Sequence, residues 1–160
     1  MQFENTSKWT QTIRPICLPK GDEKFENGNM CMVAGWGATE THSVSRFVSI
    51  VVPGLDSNVF KLRYTIIPKL PTAICDSWLF SKLDYNVEFC AGWEEGVQDS
   101  CTGDSGGPFM CRHGSTWKLY GVVSWGEGCG KPNKPGIYAD VRAFANWIRK
   151  TARDTMRSNQ

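Results

Sequence analysis

The amino-acid sequence predicts an all-β fold, a six-stranded antiparallel β-barrel with a C-terminal α-helix. Short segments rich in Val, Ile, Tyr and Phe recur between Gly, Pro and Asn residues along the 160-residue chain, a pattern typical of many short strands. Six such segments suit a small antiparallel barrel. Apolar residues with helical spacing follow the last of them. The length suffices for one domain or for one half of a two-part enzyme.

The predicted strands lie between turn-forming residues, and their composition distinguishes them from helices. A short helix is predicted at Thr72–Trp78, with Thr72 as its N-terminal cap. The six strands are predicted at Met30–Trp36, Lys61–Ile67, Glu88–Ala91, Pro108–Arg112, Trp117–Trp125 and Gly136–Val141.

A longer helix is predicted at Asp140–Ala152. Its apolar residues recur at i, i+3 and i+4, so that one face should dock on the barrel. We expect Phe144 and Trp147 to be core anchors of this face, without a chemical role. The apolar positions are Val141, Phe144, Trp147, Ile148 and Thr151.

The charge of the chain argues against a nucleic-acid partner. The 18 Lys and Arg residues and 16 Asp and Glu residues give a net charge of +2, and the basic residues are scattered rather than grouped in a stripe.

The longest apolar stretch, Phe47–Leu55, is too short to span a bilayer and is interrupted by Pro53 and Gly54.

The cysteines indicate an oxidising compartment, so we expect the protein to be secreted or to lie on the extracellular side of a membrane-anchored precursor. No two of them have the C-x-x-C spacing of common zinc sites, so we expect no metal site. Dispersed cysteines in a loop-rich chain favour disulfides, although seven reduced and buried thiols are the alternative. The odd number leaves one thiol without an internal partner. The cysteines are at positions 17, 31, 75, 90, 101, 111 and 129.

Ser105 is the candidate nucleophile. It lies within the polar segment Asp99–Pro108, where a serine between glycines could also be a simple turn. Gly103, Gly106 and Gly107 free the backbone to bring its N–H groups close to a bound carbonyl, which favours the catalytic interpretation.

The same glycines also match the G-x-S-x-G elbow of α/β-hydrolases. That elbow follows an apolar strand and precedes a helix. Here the preceding residues Gln98–Thr102 are polar, and the following residues Phe109–Cys111 are strand-like. The hydrolase elbow is therefore disfavoured.

The hexapeptide Gly103–Pro108 resembles the GDSGGP signature of the chymotrypsin-like serine proteases. Other motifs typical of that family follow in its order along nearly the whole chain. The resemblance implies that residues 1–20 are an inter-barrel connector and that residues 21–160 form the C-terminal barrel of a trypsin-like peptidase domain. The motifs are Ile13–Pro19, Cys31–Gly37, Phe89–Gly92, Val123–Gly126, Cys129–Gly130 and Pro135–Tyr138.

The resemblance implies serine endopeptidase chemistry without a cofactor. Ser105 would attack the scissile carbonyl, and the N–H groups of Gly103 and Ser105 would form the oxyanion hole. Asp99 would lie at the base of the S1 pocket and select substrates cleaved after Arg or Lys. Gly126 and Gly136 would keep the walls of that pocket open for a long basic side chain.

Further roles follow from the same resemblance. The backbone of Ser124, Trp125 and Gly126 would pair with an extended protein or peptide substrate, and protease inhibitors are possible partners. The disulfides would join Cys31 with Cys111, Cys75 with Cys90, and Cys101 with Cys129. Cys17 would be left over to pair with a cysteine in an upstream domain.

The family's catalytic histidine and aspartate belong to an N-terminal barrel that precedes this chain. His42 and His113 lack the family's sequence context, and we expect both to be exposed loop residues. Residues 1–7 lack the features of a signal peptide, so a segment upstream of Met1 is expected. We expect this chain to be inactive alone and to expose an apolar face where the first barrel would pack.

Asp104 resembles the residue that binds the new α-ammonium group after activation cleavage. No such partner occurs in this sequence, and a buried, unpaired Asp104 would be costly, so we expect the oxyanion loop to be disordered or zymogen-like. The stretch Thr41–Phe60 is longer than the family's usual loop, and its role is open. Two functions compete: part of a trypsin-like endopeptidase, or a non-catalytic protease-like binding module.

Overall fold

The structure is a computed structural model that describes residues 9–38 and 61–158. His42 and the stretch Thr41–Phe60 lie outside the described residues. The division at residue 20 into connector and barrel stays a prediction.

Six antiparallel strands form a single sheet in the order β2-β1-β4-β5-β6-β3, as the sequence predicts. Each overlaps a predicted segment, and the predicted and observed bounds differ by at most two residues. The strands are β1 Met30–Gly35, β2 Arg63–Pro68, β3 Glu88–Ala91, β4 Pro108–His113, β5 Thr116–Gly126 and β6 Gly136–Asp140.

The sheet curves until its two outer strands meet beyond the end of β2. Lys69 and Ala91 form a β-bridge. The Leu70 N–H donates to the Cys90 carbonyl at 3.0 Å, and the Gly92 N–H donates to the Pro68 carbonyl at 3.0 Å. These bonds satisfy backbone groups that an open sheet edge would leave unpaired.

An aromatic cluster fills the interior of the curved sheet. Phe109 and Tyr138 are fully buried, and their ring centroids lie 4.6 Å apart. Phe89 meets Phe109 edge to face at 5.1 Å, and Phe25 meets Phe89 in the same way. Such pairs add about 1 kcal/mol each beyond their buried area. Residues from β3, β4, β6 and the segment before β1 thus share one core.

Glu23 ties the segment before β1 to Lys118 and Tyr120 of β5. Its carboxylate accepts hydrogen bonds from Lys118 Nζ at 2.7 Å and 2.8 Å and from the Tyr120 hydroxyl at 2.5 Å. The hydrogen bond from Lys118, and then that from Tyr120, lower the pKa of Glu23 from 4.5 to about 2.

The short helix α1 spans Thr72–Trp78, as predicted, but Thr72 is not its cap. Pro71 occupies the cap position, and no side chain caps the first turn. Proline has a fixed φ that suits a helix start, and it has no side-chain oxygen to offer. A disulfide between Cys75 and Cys90 fastens α1 to β3.

The C-terminal helix α2 spans Val141–Ser158, six residues beyond its predicted end. Asp140 caps it by accepting the Arg142 N–H at 2.9 Å. No glycine or proline interrupts residues 150–158, and an exposed ion pair between Lys150 and Asp154 spans one turn at 3.2 Å. The helix therefore continues past the last apolar residue that sequence spacing detects.

The prediction that Phe144 and Trp147 anchor α2 in the core is wrong. Phe144 is 39% exposed and Trp147 is 66% exposed, whereas Val141 and Ala145 are buried. The helix packs through these smaller side chains, which allow a close approach to the sheet, and the two large rings lie on its flank. Within residues 9–38 and 61–158, no helix is long and apolar enough to cross a membrane.

Three disulfides confirm the predicted pairings, Cys31 with Cys111, Cys75 with Cys90, and Cys101 with Cys129. Cys17 is a free, exposed cysteine. It lies in the segment before β1, where its carbonyl accepts the N–H of Leu119 at 2.9 Å.

Candidate active site

Ser105 is exposed at the apex of a tight double turn before β4. The Asp104 N–H donates to the Cys101 carbonyl at 2.9 Å, and the Gly107 N–H donates to the Asp104 carbonyl at 2.8 Å. Gly103 has a φ of 99°, which disfavours any residue with a Cβ. A Cβ at Gly107 would lie 2.7 Å from the Asp104 carbonyl oxygen. The glycines around Ser105 are therefore required by the turn itself.

Two backbone donors flank this turn. Within the part of the chain that the structure describes, neither the Gly103 N–H nor the Ser105 N–H has a hydrogen-bond acceptor. By contrast, the Gly106 N–H donates to the Val123 carbonyl at 2.9 Å and fixes the turn against β5. Free N–H groups next to an exposed hydroxyl are able to bind a carbonyl oxygen that gains negative charge.

Asp104 is half-buried, and backbone donors pair with its carboxylate in place of the α-ammonium group that the resemblance implies. Its Oδ1 accepts the Gly37 N–H at 2.8 Å, and its Oδ2 accepts the Cys101 N–H at 3.0 Å. Two backbone donors suffice to stabilise a carboxylate without a cationic partner. The turn that carries Ser105 is accordingly held in place from below.

Gly37 is a site residue for which sequence reasoning assigned no role. A Cβ at this position would lie 2.6 Å from both carboxylate oxygens of Asp104. The residue thus has to be glycine for its N–H to reach Asp104. The signal was present in the motif Cys31–Gly37, but the two partners are 67 positions apart.

A cavity of about 310 Å³ brings six of the predicted site residues together. It has a hydroxyl at its rim, a carboxylate in its wall, and glycines around it. Gly103 adjoins the cavity in the chain without lining it, and Asp104 lines a second cavity instead. The six residues are Asp99, Ser105, Ser124, Trp125, Gly126 and Gly136.

Asp99 is the carboxylate of this cavity. Burial, opposed by hydrogen bonds from backbone N–H groups, raises its pKa from 3.8 to about 6. Its Oδ1 accepts the Ser100 N–H at 2.8 Å, and its Oδ2 accepts the Gly130 N–H at 3.0 Å. The Ser100 hydroxyl lies 3.1 Å from the hydroxyl of buried Tyr138. The backbone orients the carboxylate, and none of the described residues that line the smaller cavity is a Lys or an Arg.

Two glycines, Gly126 and Gly136, lie side by side in the pairing of β5 with β6, and both line this cavity. A Cβ at Gly126 would lie 3.9 Å from the Cα of Gly136. A Cβ at Gly136 would lie 2.8 Å from Asp99 Oδ1 and 3.0 Å from the Tyr138 hydroxyl. Any larger residue would therefore narrow the approach to the carboxylate.

The wall formed by Ser124 and Trp125 follows a break in the pairing of β5 with β6. The register shifts between Val123 and Trp125, which leaves Ser124 outside the ladder. Such a bulge redirects side chains and frees backbone groups. Trp125 is 37% exposed, and its indole N–H donates to Glu88 Oε1 at 3.2 Å. Pairing of this segment with an extended peptide stays a prediction.

A larger cavity of about 530 Å³ lies on the other side of Asp99. Asp99 and Asp104 both line it, together with Gly35 and Gly37. Ser105 does not. Of these two cavities, only the smaller is lined by both Ser105 and Asp99, so it is the candidate site.

Comparison with known proteins decides the family. A family model described as Trypsin matches residues 1–148. This chain belongs to the trypsin family. Members of the family are serine proteases, and the substrates of proteases are proteins. The resemblance that the sequence motifs indicate is thereby confirmed.

A named relative extends the comparison. Transmembrane protease serine 5 from Homo sapiens is 38% identical over 157 residues, which cover 98% of this chain. The same alignment covers 32% of the relative. The chain thus spans about a third of the length of the curated relative it matches.

A catalytic histidine does not reach Ser105 from the part of the trypsin-family chain that the structure describes. His113 ends β4, its side chain is 65% exposed, and its Nδ1 lies 3.8 Å from Glu23 Oε1. It lines neither cavity. Exposure agrees with the prediction for His113, although the residue ends a strand rather than lying in a loop. Residues 9–38 and 61–158 also contain no cluster of side chains suited to a metal ion.

Proposed function

We propose that this chain carries the nucleophile, the oxyanion-hole donors and the S1 pocket of a trypsin-like serine endopeptidase that cleaves after Arg or Lys. The observation that carries the proposal is the shared cavity, which Ser105 and Asp99 both line. The S1 pocket holds the side chain that precedes the cleaved bond. Family membership supports the reaction, and the carboxylate supports the preference for a basic residue.

The charge and shape of the cavity favour one long cationic side chain. A volume of about 310 Å³ is at the lower end of the range of about 300–1,000 Å³ found for ligand pockets. An Asp99 carboxylate without a cation gains a charge-assisted, bidentate partner when a guanidinium enters. An apolar side chain would leave it unpaired, at a cost of about 1–3 kcal/mol or more.

Catalysis needs a base that accepts the proton of Ser105. The sequence has two histidines, neither in the family's catalytic context. We therefore propose that the chain alone hydrolyses peptides at or near the background rate, and that a separate barrel supplies the histidine and aspartate. The paired state of Asp104 favours a formed oxyanion loop, which keeps some transition-state stabilisation available.

The setting that we propose is extracellular. Three disulfides require an oxidising compartment to persist. Exposed Cys17 suits a disulfide to an upstream domain, and protein inhibitors with a basic residue would compete with substrates for the pocket.

Titration with benzamidine, a small aromatic amidinium, tests the proposed pocket. We expect binding that weakens as the pH falls through about 6, because protonated Asp99 no longer attracts a cation. Asp99→Asn should abolish it, whereas the exposed control Asp22→Asn should not. Binding that is equal in wild type and Asp99→Asn would contradict the proposal.

Hydrolysis separates the two candidate functions. Extension of the chain upstream by a complementary barrel should give cleavage of an arginine amide that Ser105→Ala abolishes. A chain that binds benzamidine but gains no activity from that extension would favour a non-catalytic binding module, for which the intact cavity is the supporting observation.

A further inference from the structure

Glu88 contacts Trp125, a residue that lines the smaller cavity. The Trp125 indole N–H donates to Glu88 Oε1 at 3.2 Å across 37 positions of sequence. Because the indole is 37% exposed, water competes for this N–H unless an acceptor is held in position. The carboxylate is such an acceptor.

The position of Glu88 is fixed by its own surroundings. It is the first residue of β3 and pairs with Ala139 of β6. Its N–H donates to the Asp84 carbonyl at 2.9 Å, and its Oε2 accepts the Asp84 N–H at 3.4 Å. One carboxylate oxygen is thus directed to the turn, which leaves the other for the indole.

Trp125 needs such an anchor because the backbone around it is irregular. The ladder between β5 and β6 shifts its register between Val123 and Trp125. Ser124 before it is exposed, and Gly126 after it has no side chain to pack. A side chain at such a position has several staggered orientations available. The hydrogen bond to Glu88 selects the one in which the indole lines the cavity.

We propose that Glu88 is a positioning residue that holds the Trp125 indole as a fixed wall for the substrate residues preceding the S1 side chain. This inference rests on the proposed function. Glu88 acts only through Trp125. Its effect should therefore be confined to ligands that extend from the S1 pocket along that wall.

Two ligands test this restriction in the full chain. Benzamidine fills the S1 pocket alone, and a tripeptidyl 4-amidinobenzylamide adds residues that reach Trp125. Glu88→Ala should weaken the peptidyl ligand about tenfold and benzamidine less than about twofold. Glu88→Gln retains an acceptor oxygen and should restore affinity to within about threefold. The exposed control Glu95→Ala should change neither ligand.

The indole N–H signal of Trp125 gives a readout that does not depend on ligands. Trp125→Phe assigns the signal in the nuclear magnetic resonance spectrum. Glu88→Ala should shift it and speed its exchange with solvent, whereas Glu88→Gln should do so less. The midpoint of thermal unfolding shows whether a variant has instead lost its fold.

The outcomes are distinguishable. Equal loss of both ligands in Glu88→Ala, or a peptidyl affinity that does not change, overturns the positioning role. Failure of the wild-type chain to bind either ligand contradicts the proposed function. In that case an indole signal unchanged by Glu88→Ala overturns the positioning role separately, and a shifted signal supports the anchor.

Discussion

Replacement of Asp99 by asparagine should change how the stability of the chain depends on pH. Burial raises the pKa of Asp99 from 3.8 to about 6, so the folded state binds the proton more tightly than the unfolded state. The folded chain therefore loses stability as the pH rises from about 4 to about 6, and the loss is complete above that range. At about 1.4 kcal/mol per pKa unit, the loss is at most about 3 kcal/mol.

Asparagine has no charge to desolvate, but it has a separate and constant cost. Its amide has one acceptor oxygen, whereas the carboxylate accepts from both Ser100 and Gly130. One backbone N–H then faces an NH₂ group, at about 1–3 kcal/mol. This cost does not vary with pH. The change with pH in the difference between the two proteins therefore isolates the charge.

Urea denaturation with the disulfides intact measures that difference at a series of pH values. The unfolding free energy of Asp99→Asn relative to wild type should rise by about 2–3 kcal/mol between about pH 4 and about pH 7. Ser100→Ala is a matched control, since it alters the same wall and keeps the carboxylate. Parallel curves for wild type and Asp99→Asn would refute a desolvated carboxylate at this position.

Three further substitutions test other parts of the site and its frame. Gly136→Ala places a Cβ 2.8 Å from Asp99 Oδ1 and should weaken benzamidine binding at least about tenfold in a titration, through steric crowding. Gly37→Ala crowds the carboxylate of Asp104 and should lower the free energy of unfolding by about 1–3 kcal/mol in urea. Glu23→Gln should lower it by about 1–2 kcal/mol near neutral pH. Because the pKa of Glu23 is lowered from 4.5 to about 2, that last difference is present above 4.5 and shrinks as the pH falls towards 2.

Gly21→Ala is the control for both glycine variants, since a Cβ there would make only an ordinary contact at 3.6 Å with the Arg142 carbonyl oxygen. Unchanged benzamidine affinity in Gly136→Ala would contradict the position of Gly136 in the wall of the cavity, next to Asp99. Full stability of Gly37→Ala would contradict the pairing of Asp104. For Glu23→Gln, a difference that stays constant from neutral pH to about pH 3 would contradict the ion pair with Lys118.

The strands and the disulfides could be predicted because their signals are local or carried by the family pattern. The predicted bounds of Glu88–Ala91 match the observed ones, because this short segment contains strand-forming residues and Gly92 follows it directly. The end of α2 could not be predicted in the same way. Apolar spacing fades after Ile148, and the helix continues on charged residues with good helix propensity.

The orientation of α2 depends on packing that spacing alone does not specify. Phe144 and Val141 belong to the same apolar stripe of the sequence, yet only Val141 is buried. The apolar stripe of α2 is wider than the surface through which the helix contacts the sheet. The small side chains of Val141 and Ala145 determine which part of the stripe faces the sheet. The predicted cap of α1 is wrong for a local reason, because Pro71 occupies the cap position and Thr72 is the first residue of the helix.

The sequence predicts six of the residues that line the smaller cavity, but not the hydrogen bonds that connect the site to the rest of the fold. Asp104 meets Gly37, and Trp125 meets Glu88, across 67 and 37 positions. Hydrogen bonds between residues so far apart in sequence depend on which strands lie side by side in the sheet. A single sequence carries no direct signal for them.

A crystal structure of the chain with benzamidine tests most directly whether the Ser105 hydroxyl and the Asp99 carboxylate lie in one pocket. We predict the amidinium within about 3 Å of both Asp99 oxygens, with the ring against Gly126 and Gly136 and the open end of the cavity facing the Ser105 hydroxyl. An amidinium bound elsewhere, or an Asp99 side chain turned away from the cavity that Ser105 lines, would contradict a cation-selective pocket beside the nucleophile.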